Sequence, residues 1–234
     1  MADTIGWLDE AAKGRPYDIA MLQLTLSFAA IHTTTELVSG TLLDLCSNPE
    51  YFSPLRDEIC TVLGEKGWKK TSLYELKLMD SIMKESQRHH FGDIAAMSRI
   101  AEKRITLSDG TVIPKGAMTM VSIERMHDTS FFPEPEAYKG RRFLEMRQQP
   151  GNENRWQFVI TSPEHLAFGH GKHACPGRFF AANEIKVALC HMLMKYEWKL
   201  PDQGPAEDVM FGQEAEINPN AKVVFRKRTE EIQL

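Results

Sequence analysis

The sequence predicts a mainly helical α+β fold whose strands form small ribbons rather than one large sheet. Three observations predict it. A long stretch from Ile19 to Cys46 has no proline, an alternating stretch follows around Asp109 and Gly110, and helical periodicity returns after Cys175. The chain has 234 residues, of which 42% are hydrophobic and 26% are charged, so it can bury a sizeable core.

The longest predicted helix covers residues 18–46 and is about 42 Å long at 1.5 Å per residue. Gly40 is its only helix breaker. Its first part, residues 19–35, carries no formal charge, but it contains glutamine, serine, histidine and several threonines. We therefore expect a buried helix of a soluble domain rather than a membrane-spanning helix.

Shorter elements are predicted after this helix. Ser72 and Glu75 form a capping-box signature, which predicts a helix over residues 72–90. A small β region is expected over residues 99–125, because apolar and polar residues alternate there around an Asp-Gly turn. A final helix is expected over residues 178–198, where apolar residues recur at spacings of three and four.

Composition narrows the class of partner and the cellular setting. The net charge is −4, so the chain lacks the basic surface that binds phosphate backbones, and we expect no nucleic-acid partner. Its four cysteines form no Cys-x-x-Cys pair, which argues against a disulfide framework and against a common structural zinc site. The first residues lack the basic and apolar regions of a signal peptide. An intracellular location is therefore expected.

The most informative segment is residues 165–178, in which a loop rich in glycine and histidine leads to Cys175 and Pro176. Proline suits the first turn of a helix, so Cys175 is expected at or just before a helix N-terminus. Unpaired amides and the helix dipole favour an anion there and would stabilise a thiolate. Gly171 and Gly177 would let a flat or bulky group approach the backbone. Such a thiolate needs an electrophile or a metal.

Three interpretations of Cys175 follow from these residues alone. It could be a catalytic nucleophile with His170 or His173 as its base. It could bind zinc together with both histidines, as in a metal-dependent interaction module. It could also be a buried structural cysteine, which would leave the surrounding glycines and histidines unexplained.

The loop also resembles the haem-binding loop of the cytochrome P450 family. The family pattern is Phe, two residues, Gly, one residue, Arg or His, one residue, Cys, one residue, Gly. Phe168, Gly171, His173, Cys175 and Gly177 fill these positions. The resemblance implies the C-terminal half of the cytochrome P450 fold, as one partial domain over the whole chain. It also implies that these residues bind haem, with Cys175 as the axial thiolate ligand of the iron.

Two further motif residues and one distant arginine fit the same resemblance. The sequence ESQR supplies the family's Glu-x-x-Arg pair as Glu85 and Arg88, at i and i+3 on one face of a predicted helix. Arg142 occupies the place of the arginine that joins this pair in the family. The resemblance implies a buried charge network that holds the cysteine loop against the core and that is costly to break by removing one member.

The helix over residues 18–46 carries the sequence AAIHTT, which resembles the family's oxygen-binding signature. Ala29, Ala30 and Thr33 match it, and the resemblance implies that Thr33 organises proton delivery during catalysis. A mid-helix threonine hydroxyl can also bond to the carbonyl four residues earlier. His32 stands where the family usually has Asp or Glu, and histidine can relay protons near neutral pH.

Arg99 and His173 lie where the family holds the two haem propionates. A guanidinium group suits a carboxylate because it presents parallel N–H donors. The resemblance therefore implies that both residues contact the cofactor.

The function that the resemblance implies is that of a haem-thiolate monooxygenase, which uses molecular oxygen. Electrons would come from a separate NADPH-cytochrome P450 reductase, because the chain has no glycine fingerprint for a nucleotide. The implied substrate is a small apolar secondary metabolite, a terpenoid, since AAIHTT and the cysteine loop are most similar to fungal enzymes of that class. The family is typically anchored to the endoplasmic reticulum membrane, and no anchor segment is expected in this chain. The alternative hypothesis is a truncated, catalytically inactive remnant with weak or no haem binding.

Overall fold

A computed structural model describes residues 3–234 and confirms the mainly helical α+β class. Seven α-helices lie within these residues: α1 (Thr4–Ala12), α2 (Ile19–Ser47), α3 (Phe52–Lys66), α4 (Lys70–Glu75), α5 (Lys77–His89), α6 (Arg142–Gln148) and α7 (Arg178–Lys195). The described residues also contain eight strands: β1 (Ala95–Ile100), β2 (Ile105–Thr106), β3 (Val112–Ile113), β4 (Met118–Ser122), β5 (Tyr196–Lys199), β6 (Val209–Phe211), β7 (Glu214–Glu216) and β8 (Val224–Lys227). The strands form separate two-stranded antiparallel sheets, which are the small ribbons that the sequence predicts.

One hydrophobic core joins the main helices. The C-terminal half of α2, the apolar face of α3, and most of α5 and α7 meet there. Leu45, Leu55, Ile59, Met79 and Leu193 are fully buried at this junction. Each such side chain contributes about 1.5–3 kcal/mol by leaving water. This packing therefore fixes the helices that support the site.

The first half of α2 differs from its prediction. The expectation of a buried helix over residues 19–35 is wrong, because Leu24, Phe28 and Ile31 are 67%, 71% and 66% exposed. The helix is longer than the core on which its second half packs, and α1 contacts it without covering these side chains. None of the helices within residues 3–234 has both the length and the hydropathy that crossing a bilayer requires.

The helix predicted over residues 72–90 is instead two helices, α4 and α5. Ser72 lies inside α4 and is buried, so the predicted capping box does not form. The N-terminus of α5 is capped from α3, where the Glu58 carboxylate accepts the N–H groups of Leu78 at 2.7 Å and Met79 at 3.0 Å. A carboxylate from another helix thus satisfies amides that a local cap would otherwise serve.

The β region begins earlier than the predicted residues 99–125, because β1 starts at Ala95. Strand β1 pairs with β4, and β2 pairs with β3. The expected turn at Asp109 and Gly110 closes the β2–β3 hairpin. The Asp109 carboxylate stabilises this turn by accepting the Thr111 N–H at 2.8 Å.

The last helix is shorter than predicted. Helix α7 ends at Lys195, and Tyr196 to Trp198, which belong to the helix predicted over residues 178–198, lie in β5. Strand β5 pairs with β8, where the Tyr196 and Trp198 rings pack against Phe225 at centroid distances of 5.6 and 5.3 Å. These cross-strand aromatic contacts favour the extended conformation over another helical turn.

The β6–β7 hairpin reaches back to the segment that follows α5. The Ile94 N–H donates to the Gln213 carbonyl at 2.9 Å, and the Ala215 N–H donates to the Gly92 carbonyl at 2.6 Å. Because these bonds are antiparallel, the hairpin lies alongside the chain that leads into β1. It thereby becomes one wall of the site.

Candidate functional site

A cavity of about 720 Å³ lies where four parts of the fold meet. Its walls come mainly from the middle of α2, the cysteine loop over residues 165–178, β1 with the segment before it, and the β6–β7 hairpin. Ala181 and Ile185 of α7 and Gln87 of α5 also line it. The volume falls in the range of about 300–1,000 Å³ that is typical of pockets for small molecules and cofactors. The predicted site residues that line it are His32, Thr33, Arg99, Phe168, His173 and Cys175.

Cys175 lies half-buried in the cavity wall. Its N–H donates to the Phe168 carbonyl at 2.7 Å, and its own carbonyl accepts from Arg178 Nη1 at 2.6 Å. The Phe168 ring packs edge-on against Phe158 of the core, with a centroid distance of 5.1 Å. The fold therefore sets the position of the thiol through hydrogen bonds on both sides of it.

Helix α7 begins at Arg178, as the sequence predicts, but Pro176 does not lie in its first turn. Its first residue is Arg178 and its N-cap is Gly177, so Pro176 lies outside the first helical turn and Cys175 precedes it. The helix dipole acts less strongly on Cys175 than expected, because its effect falls off beyond the first turn.

The loop glycines shape the backbone around Cys175. Gly169 and Gly171 have φ angles of 64° and 74°, in the left-handed region that costs other residues about 1–2 kcal/mol. Gly177 has a φ of −79°, and a side-chain carbon there would lie 3.9 Å from Cys175 Sγ, which is an ordinary contact. Neither Gly171 nor Gly177 lines the cavity. The cofactor contacts expected of these two glycines stay predictions.

Helix α2 contributes Ala29, His32 and Thr33 to the cavity. Thr33 Oγ1 donates to the Ala29 carbonyl at 2.7 Å, in the bond to residue i−4 that the sequence predicts. His32 Nε2 lies 3.7 Å from Glu216 Oε1 of β7, so a carboxylate from another element stands beside the histidine that replaces the family's acidic residue. The structure therefore brings Thr33 and Cys175 to one cavity.

Arg99 and His173 line the cavity from exposed positions. Arg99 lies in β1, and its Nη1 donates to the Ser98 carbonyl at 2.7 Å. A guanidinium has five N–H donors, so this bond leaves enough of them to bind a carboxylate through two parallel contacts. His173 ends the short 3₁₀ helix Gly171–His173. The structure thus brings both residues to the cavity, and their contact with a carboxylate stays a prediction.

Outside the cavity, the structure gathers Glu85, Arg88 and Arg142 into one buried network. Arg88 Nε and Nη2 donate to the two Glu85 oxygens at 3.0 Å each, and Arg142 Nε donates to Oε1 at 2.9 Å. The three side chains are at most 6% exposed. Burial opposes ionisation of Glu85, but hydrogen bonds from His89 and Arg88 and the charges of both arginines outweigh it and lower its pKa to about 2.

The two arginines of this network also bind the loop that precedes α6. They donate to the backbone carbonyls of Met126, Pro133, Glu134, Pro135 and Ala137. These partners lie outside the cysteine loop. The sequence predicts that the network holds that loop against the core, but in the structure it does not contact the loop directly. Its connection runs through Phe143, the residue after Arg142, whose ring packs edge-on against His165 at 5.6 Å.

Three residues that the sequence analysis did not single out hold the cysteine loop in place. Lys84 Nζ donates to the Gln157 carbonyl at 3.1 Å, and His165 Nε2 lies 3.2 Å from the Lys84 carbonyl. Arg178 Nε donates to the Val159 carbonyl at 3.0 Å. Burial lowers the pKa of Lys84 to about 7 and that of His165 well below its usual range. Lys84 directly precedes Glu85 of the Glu-x-x-Arg pair, and His165 and Arg178 lie at the two ends of the cysteine loop. This position next to a motif is the sequence signal that indicates them.

The donors at the cavity fit a haem. One soft sulfur donor, that of Cys175, and the small Ala29 side chain suit a flat macrocycle with an iron ligand, and Arg99 and His173 suit its two carboxylates. Zinc fits less well, because residues 3–234 contain no cluster of three or more His, Cys, Asp or Glu arranged to hold a metal. His170 is a residue that the zinc and nucleophile alternatives both use. Its Nδ1 lies 3.2 Å from Thr161 Oγ1.

Comparison with known proteins bears on the same segments. The sequence model of the cytochrome P450 family matches residues 10–225. The cytochrome P450 monooxygenase ntnM of Nectria sp is 51% identical over 227 residues, which cover 97% of this chain and 44% of that protein. The cytochrome P450 monooxygenase adrA of Penicillium rubens is 50% identical over 232 residues, which cover 98% of this chain and 45% of that protein.

The chain therefore spans about half the length of the curated relatives it matches. The match covers α2, the Glu85 network and the cysteine loop in a single alignment. On this sequence similarity, and with the cavity geometry in agreement, the chain belongs to the cytochrome P450 family.

Proposed function

We propose that this chain carries the oxygen-activating part of a haem-thiolate monooxygenase. The observation that carries the proposal is that Cys175 and Thr33, which lie far apart in the sequence, line the same cavity. The similar proteins from Nectria and Penicillium are monooxygenases by name, which supports the same reaction class.

Cys175, Arg99 and His173 would hold the cofactor. When bound, a thiolate-ligated haem supplies the activation of molecular oxygen and the insertion of one oxygen atom into the substrate. Cys175 Sγ would bind the iron, while the bonds at its N–H and carbonyl keep the sulfur oriented. Arg99 and His173 would bind the two carboxylates. Phe168, packed on the core, would keep water away from the sulfur.

Thr33 and His32 would deliver protons to the cavity. The Thr33 hydroxyl donates its proton to the Ala29 carbonyl, so Oγ1 is free to accept a hydrogen bond from a donor in the cavity. His32 and its neighbour Glu216 have side chains that are 47% and 40% exposed, so His32 Nε2 can exchange a proton with solvent and pass it towards Thr33.

The proposed substrate is a small apolar secondary metabolite, a terpenoid. Apolar side chains on the cavity wall, among them Phe28, Leu37 and Met97, suit such a molecule. The resemblance of AAIHTT and the cysteine loop to fungal terpenoid-oxidising enzymes supports this class. Electrons would come from NADPH-cytochrome P450 reductase, the partner that the family resemblance implies.

Ligation by Cys175 is tested with Cys175→Ser, after reconstitution of the 234-residue chain with haem. We expect the variant to lose the red-shifted carbon monoxide spectrum that thiolate ligation produces, because a serine hydroxyl does not replace a thiolate. Cys60→Ser is the matched control, since Cys60 is also a free, half-buried cysteine but does not line the cavity. An unchanged spectrum in Cys175→Ser would contradict the assignment.

The second candidate is a remnant that binds haem weakly or not at all. The exposure of Phe28 favours it, because this apolar side chain of α2 lines the cavity and is 71% exposed to water. Haem titration of the purified chain separates the two. Stoichiometric uptake with Soret absorption supports the monooxygenase, and no uptake supports the remnant.

A further inference from the structure

One histidine at the cavity makes contacts that the proposed function does not use. His90 follows α5 as its C-cap, and its side chain is 17% exposed. Its Nε2 lies 3.0 Å from Asp44 Oδ1 of α2, and its Nδ1 lies 3.2 Å from Asp208 Oδ2, just before β6. An ionised carboxylate can only accept, so both contacts require a ring with a proton on each nitrogen. The geometry is therefore that of an imidazolium between two carboxylates.

Helix α2 makes room for this ring at Gly40. A side-chain carbon at that position would lie 2.9 Å from His90 Cδ2 and 3.1 Å from Cγ, which is closer than such atoms normally approach. Glycine inside a helix costs about 1 kcal/mol relative to alanine. The helix breaker seen in the sequence thus allows His90 to pack directly against the α2 backbone.

The Asp208 contact bears on the cavity because Asp208 leads into the β6–β7 hairpin. Glu214, Ala215 and Glu216 of that hairpin line the cavity. The two carboxylates that contact His90 therefore belong to two different walls of the cavity. Asp44 lies in α2, the helix that carries Thr33, and Asp208 directly precedes the β6–β7 hairpin.

We propose that His90 is a positioning residue that, as an imidazolium between Asp44 and Asp208, fastens the β6–β7 hairpin to α2 and so sets the cavity wall. The inference rests on the proposed function in one respect, since that function says which molecule the cavity wall would face. The contact itself depends only on residues of this chain.

The charges around the ring favour its protonated form. Burial disfavours the charged ring, but hydrogen bonds and charges from Asp44 and Asp208 outweigh it and raise the pKa of His90 to about 9. On α5 itself, Arg88 and His89 both contact Glu85. The other carboxylates that line this part of the cavity, on α2, before β1 and on β7, are Glu36, Asp93, Glu214 and Glu216. These four carboxylates carry the sign of charge that favours an imidazolium, whereas the charge of Arg88 is paired with Glu85.

The raised pKa fixes the direction of the pH dependence. A histidine has a usual pKa of 6.5, so the fastening is fully present below that pH and is lost as the pH rises through about 9. The β6–β7 hairpin should therefore separate from α2 more often in alkaline solution, although its backbone hydrogen bonds to the segment after α5 do not themselves titrate.

The test is amide hydrogen exchange of the haem-free 234-residue chain at Ile94 and Ala215, whose N–H groups join the hairpin to the segment after α5. Protection factors, corrected for the intrinsic pH dependence of exchange, should fall on the order of 100-fold between pH 6 and pH 10. His90→Gln should give low protection at both pH values and no such fall. His127→Gln should keep the wild-type profile, because His127 pairs with Glu136 at 3.6 Å and does not line the cavity.

A second variant keeps the test decisive if His90→Gln does not fold. Asp208→Asn removes one partner at a side chain that is 36% exposed, and it should lower protection on the order of tenfold at pH 6. Absent protection at pH 6, a pH-independent profile in the wild type, or an equal fall in His90→Gln would overturn the proposal. Because no haem is present, failure of haem binding leaves this result unchanged, and the two proposals fail separately.

Discussion

The Glu85 network and the cavity wall both concentrate charged side chains, but they use them differently. Glu85, Arg88 and Arg142 are at most 6% exposed and bond to one another and to backbone carbonyls. Arg99 and His173 line an open cavity from exposed positions. Charges whose donors are used by the protein hold the fold together, whereas charges with unused donors are available to a ligand.

The difference shows how burial changes the effect of one sequence motif. A Glu-x-x-Arg pair on a surface helix contributes only tenths of a kcal/mol. Here the same pair is buried and shared with Arg142, so removing one member leaves an uncompensated charge away from water. Removing Arg99 would leave only a gap that water fills.

Glu85→Gln should give the largest effect. The variant keeps the shape of the side chain but leaves two buried guanidinium groups without their carboxylate, so the free energy of unfolding should fall by about 3–5 kcal/mol. Chemical denaturation measures it. Glu134→Gln is the matched control, because Glu134 pairs with Lys139 at the surface, where the loss of an ion pair changes stability little. Equal losses of unfolding free energy in the two variants would contradict the claim that the buried pair stabilises the fold more than a surface pair does.

Acid should reveal the same network in the unaltered chain. The pKa of Glu85 is lowered from 4.5 to about 2, so its contribution is present above pH 4.5 and is lost as the pH falls through about 2. The loss amounts to about 3 kcal/mol in that window. Denaturation curves at pH 5 and pH 2.5 measure it, and the difference between them should be smaller in Glu85→Gln. An identical pH dependence in both proteins would argue against the lowered pKa.

Arg99→Ala and His173→Ala should act on the ligand and hardly on the fold. Each should lower haem affinity on the order of tenfold through the loss of a charge-assisted hydrogen bond. Unfolding free energy should stay within about 0.5 kcal/mol of the unaltered chain. Haem titration followed by Soret absorbance measures affinity, with Arg104→Ala as the control because Arg104 is exposed and does not line the cavity. A loss of stability with unchanged haem affinity would show that these residues support the fold and do not bind the cofactor.

Thr33→Ala should likewise leave the fold nearly unchanged. Alanine is the better helix former, so stability should change by less than about 0.7 kcal/mol. In the haem-loaded protein, oxygen consumption should shift from product towards hydrogen peroxide, because the variant lacks the hydroxyl oxygen that accepts a hydrogen bond from a donor in the cavity. Thr25→Ala is the matched control, since Thr25 makes the same bond to residue i−4 at 2.8 Å but does not line the cavity. A fully coupled Thr33→Ala enzyme would contradict the role given to Thr33.

Much of the fold and part of the site are predictable from sequence where the cause is local. The Asp109 and Gly110 turn and the bond from Thr33 to Ala29 arise from residues a few positions apart. Glu58 is different, because it caps α5 from 20 residues away in the chain. Lys84 likewise meets Gln157 across 73 positions. No local pattern marks such partners. The sequence therefore predicts a capping box that does not form, and it gives no sign that the helix over residues 72–90 is split in two.

The sequence by itself determined the mainly helical α+β class, the family, and the types of residue at the candidate site, because periodicity and motif spacing act within short segments. Only the tertiary structure decided that Thr33 and Cys175 share one cavity, that the first half of α2 is exposed, and that Gly40 admits His90. The physical reason is that burial and charge pairing depend on which distant segments meet, and a single residue's surroundings decide whether its charge stabilises the fold or remains free for a ligand.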